Sequence, residues 1–270
     1  METLEAQRTR PWAPSGVVTF LTDFGTVDTY VGVMKGVLLS GAPDARPVDL
    51  THAVPPQDVL QASWHLARAV EYFPVGTVHV AVVDPGVGSA RSILVAEDRG
   101  QAFLAPDNGL LGPVLSEESR VYELDIERFA LPEPSRTFHG RDVFTPAAAA
   151  LASGLAPHEA GTSATDWQRA AWPAVEELPG GLVVPALFAD HFGNLITTLS
   201  GARLEGADWS VTVHGEALPL VETYADVEPG AGLALIGSAG TLEISVREGS
   251  AAERYRAGTG TPIQLTKRTR

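Results

Sequence analysis

The N-terminal part of the chain, residues 17–172, alternates between short apolar runs and longer segments with the spacing of amphipathic helices. Residues 58–73 form the clearest helical segment, because apolar side chains recur there every three or four positions. Runs rich in Val, Ile and Leu, which suit strands covered on both faces, occur at 17–21, 47–50, 78–83, 92–96 and 102–105. A strand, a helix and a second strand in succession predict a crossover connection with parallel pairing. The pattern therefore predicts an α/β N-terminal domain with a mainly parallel sheet.

The pattern changes at residues 173–181, where proline, glutamate and glycine replace the regular spacing and indicate a linker. Residues 182–270 then show short alternating runs separated by polar turns, which is typical of an all-β domain. Residues 1–16 are polar and proline-containing, so we expect a flexible tail. The predicted order is thus a tail, an α/β domain over 17–172, a linker and a β C-terminal domain.

Polar side chains follow several of the predicted strands. Asp23 and His52 each come directly after an apolar run, and Asp84 and Arg91 flank a glycine-rich turn. His139 precedes an alanine-rich helical segment. Because α/β sheets hold ligands at the carboxyl ends of their strands, these residues are candidates for a site. Other interpretations stay open: a helix cap for Asp23, a surface loop with two chance charges at Asp84 and Arg91, and a structural histidine at position 52.

Composition narrows the class of protein. The net charge of −14 and the pI near 4.8 argue against binding to nucleic acid, which requires a basic surface. The chain has no cysteine, which excludes disulfides, thiolate catalysis and cysteine zinc sites. No apolar run reaches the roughly 18–20 residues of a membrane span, and residues 1–16 lack the apolar core of a signal peptide. We therefore expect a cytoplasmic protein that binds neither nucleic acid nor membrane.

The residue types alone predict a small-ligand site with acids at Asp23 and Asp84, a cation at Arg91 and a base at His139. A metal site stays open, because Asp and His are suitable ligands, although the sequence lacks a helical H-x-x-x-H pair or clustered acids. Both common nucleotide-binding glycine patterns are missing, and so is the G-x-S-x-G motif of serine hydrolases.

A series of motifs in order resembles one known family. The motifs are Thr22-Asp23-Phe24-Gly25, Thr51-His52 with Pro55-Pro56-Gln57-Asp58, Val83-Asp84-Pro85-Gly86-Val87-Gly88 with Arg91, Pro106-Asp107-Asn108-Gly109, Thr137-Phe138-His139-Gly140-Arg141-Asp142, and Asp190-His191-Phe192-Gly193-Asn194. Together they resemble the S-adenosyl-L-methionine (SAM) hydroxide adenosyltransferases, the adenosine-forming hydrolases related to fluorinase and chlorinase. The resemblance runs from about Val17 to Ala252.

The resemblance implies a fold, an assembly and a reaction. Family members have an α/β N-terminal domain and a barrel-like β C-terminal domain. They form homotrimers with sites between the N-terminal domain of one subunit and the C-terminal domain of the next. Water or hydroxide attacks C5′ of the SAM ribose and releases adenosine and L-methionine. SAM is the substrate, and the resemblance implies neither a metal nor another cofactor.

The family's catalytic triad corresponds to Asp84, Arg91 and His139. Asp84 is also implied to touch the substrate. Asp23 matches the carboxylate that holds both ribose hydroxyls. In this interpretation Arg91 holds and polarises the attacking water while staying protonated, and His139 accepts or relays a proton. The sequence leaves open which triad member takes the proton.

The resemblance also implies substrate contacts in the C-terminal domain. Asp190 matches the partner of the methionine ammonium, and Asn194 matches the side chain that reads the adenine edge. Ser238 matches a contact to the methionine carboxylate. Glu243 and Val246 lie on the strand that lines the nucleoside pocket.

Three positions depart from the halogenating relatives. Gly140 stands where they carry a serine beside the halide, and His139 stands where they carry a tyrosine. Gln57 occupies the position of a fluorinase tryptophan. These departures disfavour a halide-dependent adenosyltransferase. A non-catalytic SAM or adenosine sensor is a second alternative, but such a protein would be expected to lose the triad.

Overall fold

A computed structural model describes residues 12–268 of the chain. The chain divides into two compact units, one ending at Ala170 and the other beginning at Ala171. Residues 176–178, which the sequence assigns to a linker, form a strand instead. The linker prediction is wrong there because strand pairing outweighs the local preference for irregular structure.

The N-terminal unit contains a seven-stranded sheet with the order β2-β1-β3-β5-β4-β6-β7. Its strands are β1 (Val17–Thr22), β2 (Arg46–Thr51), β3 (Val78–Val82), β4 (Ile93–Asp98), β5 (Gln101–Pro106), β6 (Arg120–Leu124) and β7 (Gly161–Ser163).

Half of this sheet is parallel and half is antiparallel. Strands β2, β1, β3 and β5 pair in parallel, as the predicted crossover requires. Strands β5, β4, β6 and β7 pair antiparallel, so the prediction of a mainly parallel sheet is wrong. The reversal begins at the turn Arg99-Gly100, where both residues have positive φ, 50° and 71°. Such a two-residue turn joins adjacent antiparallel strands without a crossover. The sheet is mixed.

Helices cover both faces of the sheet. They are α1 (Tyr30–Gly41), α2 (Val59–Ala69), α3 (Ile126–Phe129), a π-helix (Gly140–Phe144) and α4 (Thr145–Ala152). Phe20 of β1 packs into a core with α1 and α4, whereas its neighbour Leu21 packs into a second core with α2. This alternation makes β1 fully buried, as its continuous apolar sequence predicts. None of the helices in residues 12–268 is long and apolar enough to cross a bilayer.

The described part of the predicted tail is bound to the N-terminal unit. Trp12 packs against the core, and its Nε1 donates to the carbonyl oxygen of Leu151 at 3.2 Å. The backbone N–H of Ser15 donates to Gly76 O at 2.9 Å. The tail prediction is therefore wrong for residues 12–16, because a partly buried indole and backbone hydrogen bonds hold them. Residues 1–11 lie outside the described part of the chain.

The C-terminal unit is built mainly of antiparallel strands. They are β8 (Glu176–Leu178), β9 (Gly181–Pro185), β10 (Phe188–Ala189), β11 (Leu195–Ser200), β12 (Trp209–Val213), β13 (Glu216–Leu218), β14 (Gly232–Ile236), β15 (Thr241–Val246) and β16 (Pro262–Lys267). Within the described residues they form two sheets, β10-β11-β15-β14 and β13-β12-β16-β9-β8. Helix α5 (Ala251–Tyr255) follows β15. The barrel-like arrangement stays a prediction.

Candidate functional site

Three candidate residues follow the ends of neighbouring parallel strands. Thr22 of β1 pairs with Val82 of β3, and Leu21 pairs with Thr51 of β2. Asp23 comes directly after β1, His52 comes directly after β2, and Asp84 lies two residues past the end of β3. Strand register therefore places these three residues along one edge of the sheet, where α/β proteins bind ligands.

Arg91 lies at the same edge of the sheet, although the strand that follows it runs in the opposite direction. It precedes β4, whose first residue, Ile93, pairs with Pro106 at the end of β5. Because β5 is parallel to β3, the start of β4 lies at the edge that carries Asp84. The antiparallel direction of β4 therefore brings Arg91 to the site, because a parallel strand at this position would begin at the opposite edge of the sheet.

Asp84 and Arg91 form a close ion pair. Arg91 Nε lies 3.0 Å from Asp84 Oδ1 and 2.9 Å from Oδ2, and Nη2 also contacts Oδ2. The side chains are only 4% and 8% exposed, respectively. Burying a charge pair is costly unless its geometry and hydrogen bonds are good, so such pairs are uncommon in plain surface loops. The interpretation as two chance surface charges is therefore wrong.

The turn between these two residues packs closely on the segment that leads to His139. Gly88 has φ of 78°, and a Cβ at this position would lie 2.7 Å from the carbonyl oxygen of Arg136. Asn108 Nδ2 donates to Val83 O at 2.8 Å and holds the end of β3. Glycine at position 88 thus permits an approach that brings two distant segments together.

His139 completes the cluster in the N-terminal unit. Its Nδ1 lies 3.1 Å from Arg91 Nη2. A guanidinium only donates, so Nδ1 accepts this hydrogen bond and the neutral ring carries its proton on Nε2. Burial and the positive charge of Arg91 lower the pKa of His139 from its ordinary value of 6.5. The triad is therefore an anion, a cation and a neutral imidazole linked by hydrogen bonds.

The lowered pKa of His139 predicts its titration. We expect the ring to stay neutral as the pH falls through 6.5 and to gain a proton only below that value, because protonation places a second cation beside Arg91. NMR titration of the ring, assigned with His139→Gln, should give a midpoint below 6.5. Replacing Arg91 by Met should raise the midpoint. A wild-type midpoint at or above 6.5 would contradict this assignment.

A π-helix begins immediately after His139. Gly140–Phe144 form one wide helical turn that continues directly into α4, and such turns are frequent at functional sites. Phe144 is fully buried, and its ring centre lies 5.8 Å from Arg91 Cζ. The ring therefore forms an apolar support for the guanidinium.

Asp23 is held by the backbone of a turn that follows β2. Its Oδ2 accepts the backbone N–H of Gln57 at 2.8 Å. Gln57 has φ of 69° and occupies the third position of a turn closed by a hydrogen bond from Asp58 N to Pro55 O. Proline at the second position and positive φ at the third define a type II turn. Asp23 does not cap α1, which begins at Tyr30.

Asp190 and Asn194 lie together in the loop between β10 and β11. Asp190 Oδ1 accepts the backbone N–H groups of Phe192 and Asn194 at 2.9 and 2.8 Å. Asp190 Oδ2 accepts Asn194 Nδ2 at 3.1 Å. One carboxylate thus sets the loop conformation and orients the Asn194 amide.

Strand β15 presents two different faces. Glu243 is buried, and its Oε1 accepts the hydroxyls of Tyr224 at 2.5 Å and Ser245 at 2.8 Å. Burial and this hydrogen bond raise the pKa of Tyr224 to about 12, so the phenol remains a donor. Val246 lies on the opposite face, within the core. Ser238 is exposed in the turn between β14 and β15.

The structure also contains site contacts that the sequence analysis missed. The backbone of Gln57 binds Asp23, Phe144 supports Arg91 and Tyr224 binds Glu243. The Pro-Pro pair before Gln57 signals a type II turn and could have indicated the first contact. Residues 12–268 contain no group of three or more His, Asp or Glu side chains arranged to hold a metal ion.

Comparison with known proteins identifies the family. Models of the SAM hydroxide adenosyltransferase N-terminal and C-terminal domains match residues 18–161 and 185–264. An (R)-S-adenosyl-L-methionine hydrolase from Thermus thermophilus is 45% identical, over 92% of this chain and 98% of the relative. A protein of the same name from Salinispora tropica is 37% identical, over 94% and 99%. A crystal structure of an uncharacterized conserved protein from Thermotoga maritima superposes with a TM-score of 0.85 at 33% identity, over 92% and 99%. The chain belongs to the SAM hydroxide adenosyltransferase family.

Proposed function

We propose that the Asp84–Arg91–His139 cluster is the catalytic centre at which this protein hydrolyses SAM to adenosine and L-methionine. Relatives that match nearly the whole chain are named for this hydrolysis. The cluster is the observation that carries the residue assignment, because it joins a desolvated guanidinium to a neutral imidazole. We propose the (R)-sulfonium epimer as the substrate, after the names of these relatives.

The reaction is a displacement at carbon that needs no acid on the leaving group. The C5′–S bond breaks, and its electron pair moves to sulfur and yields the neutral thioether of methionine. A water oxygen forms the new bond to C5′, and one water proton is released. Because the sulfonium already leaves readily, the protein's task is to strip, hold and align a weak nucleophile.

The proposed roles follow from the hydrogen-bond pattern. Asp84 occupies Arg91 Nε and part of Nη2, so the guanidinium has a fixed plane and its remaining N–H groups can hold the water oxygen. His139 accepts from Arg91 at Nδ1 and keeps an Nε2–H donor. Fixed donors hold the water oxygen in line with the C5′–S bond and favour the loss of its proton as the new bond forms.

We propose that the remaining candidates bind the substrate. Asp23 has a free Oδ1 besides the oxygen bound by Gln57, and two carboxylate oxygens suit the two ribose hydroxyls. Asn194 would read the adenine edge, and Asp190 would pair with the methionine ammonium. Ser238 would contact the methionine carboxylate, and β15 would line the nucleoside pocket with Glu243 and, through its backbone, Val246.

The surroundings of Gly140 fit glycine more closely than the serine of the halogenating relatives. A Cβ at this position would lie 3.2 Å from Met34 Sδ and 3.3 Å from Phe24 Cε2. The serine that halogenating relatives carry here would need these side chains to shift. This crowding supports the hydrolase and disfavours the halide-dependent reaction.

An assay with purified protein tests the proposed function. We expect (R)-SAM to yield adenosine and methionine in equal amounts, with chelator present and with or without fluoride or chloride. Chromatography separates adenosine from 5′-halo-adenosines. Formation of a halogenated nucleoside, or loss of activity in chelator, would contradict the proposal. Binding without turnover would indicate the sensor instead, and faster turnover of the (S)-epimer would contradict the proposed stereochemistry.

We further propose a homotrimer whose sites combine the N-terminal unit of one subunit with the C-terminal unit of the next. Asp84→Asn and Asn194→Ala chains, each inactive alone, should then complement each other in mixed trimers. Random mixing gives about one quarter of sites with both native residues. Native mass spectrometry verifies the mixing. Mixed trimers that remain as inactive as the parents would contradict shared sites.

A further inference from the structure

His52 is a buried histidine that the catalytic triad does not use. It is 5% exposed, and its Nδ1 lies 2.8 Å from Oγ1 of Thr22, which is fully buried. Its Nε2 lies 3.0 Å from Asp49 Oδ1, and Asp49 Oδ2 in turn contacts Lys35 Nζ at 2.6 Å. The imidazole is thereby held by a hydrogen bond at Nδ1, with the Asp49 carboxylate close to Nε2.

The hydrogen bonds around His52 converge on the segment that carries Asp23. Thr22 immediately precedes Asp23, and Thr22 Oγ1 also accepts the backbone N–H of Phe24 at 3.2 Å. The backbone N–H of Gly25 donates to the carbonyl oxygen of His52 at 2.8 Å. The residues on both sides of Asp23 are therefore tied to one histidine.

An irregularity in the pairing of β1 with β2 determines the position of His52. Phe20 pairs with Asp49, whereas the next residue, Leu21, pairs with Thr51. Leu50 is thus an extra residue on β2, and such bulges re-aim side chains and are frequent beside active sites. The shift puts His52 beside Thr22, at the end of β1.

We infer that His52 is a positioning residue that holds Asp23 in the orientation required to bind the two ribose hydroxyls. The inference rests on the proposed role of Asp23. The His52 side chain binds the Thr22 hydroxyl, which also accepts the Phe24 N–H, and so acts on the backbone on both sides of Asp23 through Thr22. The Gln57 N–H fixes one carboxylate oxygen directly. Two hydrogen bonds to a diol need both carboxylate oxygens in one place, so loosening this backbone weakens the recognition of the hydroxyls.

The chain offers a matched control for this inference. His79 on β3 is also buried, and its Nδ1 also lies 2.8 Å from a threonine of β1, Thr19. Thr19 lies within the strand, four residues before Asp23. Replacing His79 by Leu removes the same kind of buried hydrogen bond from the same strand without touching the segment around Asp23.

Calorimetric binding of adenosine and 2′,3′-dideoxyadenosine tests the inference. We expect wild-type protein to bind adenosine about 10²-fold more tightly, because two hydrogen bonds to a carboxylate are lost in the dideoxy compound. His52→Leu should reduce this ratio about tenfold. His52→Asn, whose amide can replace Nδ1, should restore most of it. His79→Leu should leave the ratio unchanged, although it destabilises the fold.

The variants separate the possible failures. If Asp23→Asn keeps the wild-type ratio, or if wild-type protein shows no preference, the role of Asp23 is wrong and this inference is overturned with it. If Asp23→Asn abolishes the preference but His52→Leu keeps it, only the role of His52 is wrong. Should His52→Leu fail to fold, Thr22→Val removes the same hydrogen bond from the other side, with Thr22→Ser as its control. An unchanged ratio in Thr22→Val overturns the inference.

Discussion

Replacing Arg91 by Lys is expected to lower kcat for SAM hydrolysis by about 10²–10³-fold, a loss of the size seen when one fixed hydrogen-bond donor is removed from an active site. Lysine keeps the positive charge but lacks the planar fork that binds Asp84 through two nitrogens and contacts His139. The water would then be held by a mobile ammonium group. Single-turnover measurements at saturating SAM, which separate chemistry from binding, provide the test.

A matched substitution controls for the general effect of exchanging arginine for lysine. Arg169 lies in the same unit and stacks on Trp167, with 4.2 Å between its Cζ and the ring centre. Arg169→Lys should leave kcat within about twofold, as expected for an exposed side chain that is not part of the proposed catalytic cluster. Adenosine binding by Arg91→Lys should stay close to that of the wild type. A kcat for Arg91→Lys within threefold of the wild-type value would contradict the role of Arg91.

Replacing Asp84 by Asn is expected to lower the free energy of unfolding by about 3 kcal/mol and to abolish most activity. The substitution keeps the shape of the side chain but leaves the buried Arg91 charge without its anion. Urea unfolding at a fixed protein concentration measures the first effect, because any oligomer makes stability depend on concentration. The assay of adenosine release measures the second.

A double variant separates the two consequences. Asp84→Asn combined with Arg91→Met removes the unpaired charge, so much of the lost stability should return while activity stays absent. Glu97→Gln provides a control pair, since its partner Arg120 is 58% exposed and such ion pairs contribute at most about 1 kcal/mol. Equal losses for Asp84→Asn and Glu97→Gln would show that the Asp84–Arg91 pair has no special energetic weight.

Local sequence signals predicted the parts of the N-terminal unit better than their arrangement. The apolar run of β1, the helical spacing of α2 and the crossover between β2 and β3 are all found in the structure. The antiparallel half of the sheet was missed. The apolar pattern of a strand is the same whichever way the strand runs in the sheet. Only the Arg99-Gly100 turn therefore indicates that β4 and β5 are antiparallel.

In the candidate site as well, contacts between residues close in sequence could be predicted, whereas contacts between distant residues could not. Asp84 and Arg91 are seven positions apart and flank one turn, so their spacing alone indicates a pair. His139 is 48 positions from Arg91, and its contact depends on the close packing of Gly88 against Arg136. For the Gln57 backbone donor, the proline pair before it indicates the turn, whereas its partner Asp23 is 34 positions away and follows only from the fold.

The amino-acid pattern was sufficient to indicate the element types, the turn that joins Asp84 to Arg91, and the family, because these depend on neighbouring residues and on motifs that keep their order. Sheet direction, the neutral state of His139 and the hold of His52 on the Asp23 segment required the folded chain. Each of them depends on strand register and on burial, which bring together groups that are far apart along the sequence. The bulge at Leu50 illustrates this dependence, because one extra residue in β2 places the His52 imidazole beside Thr22.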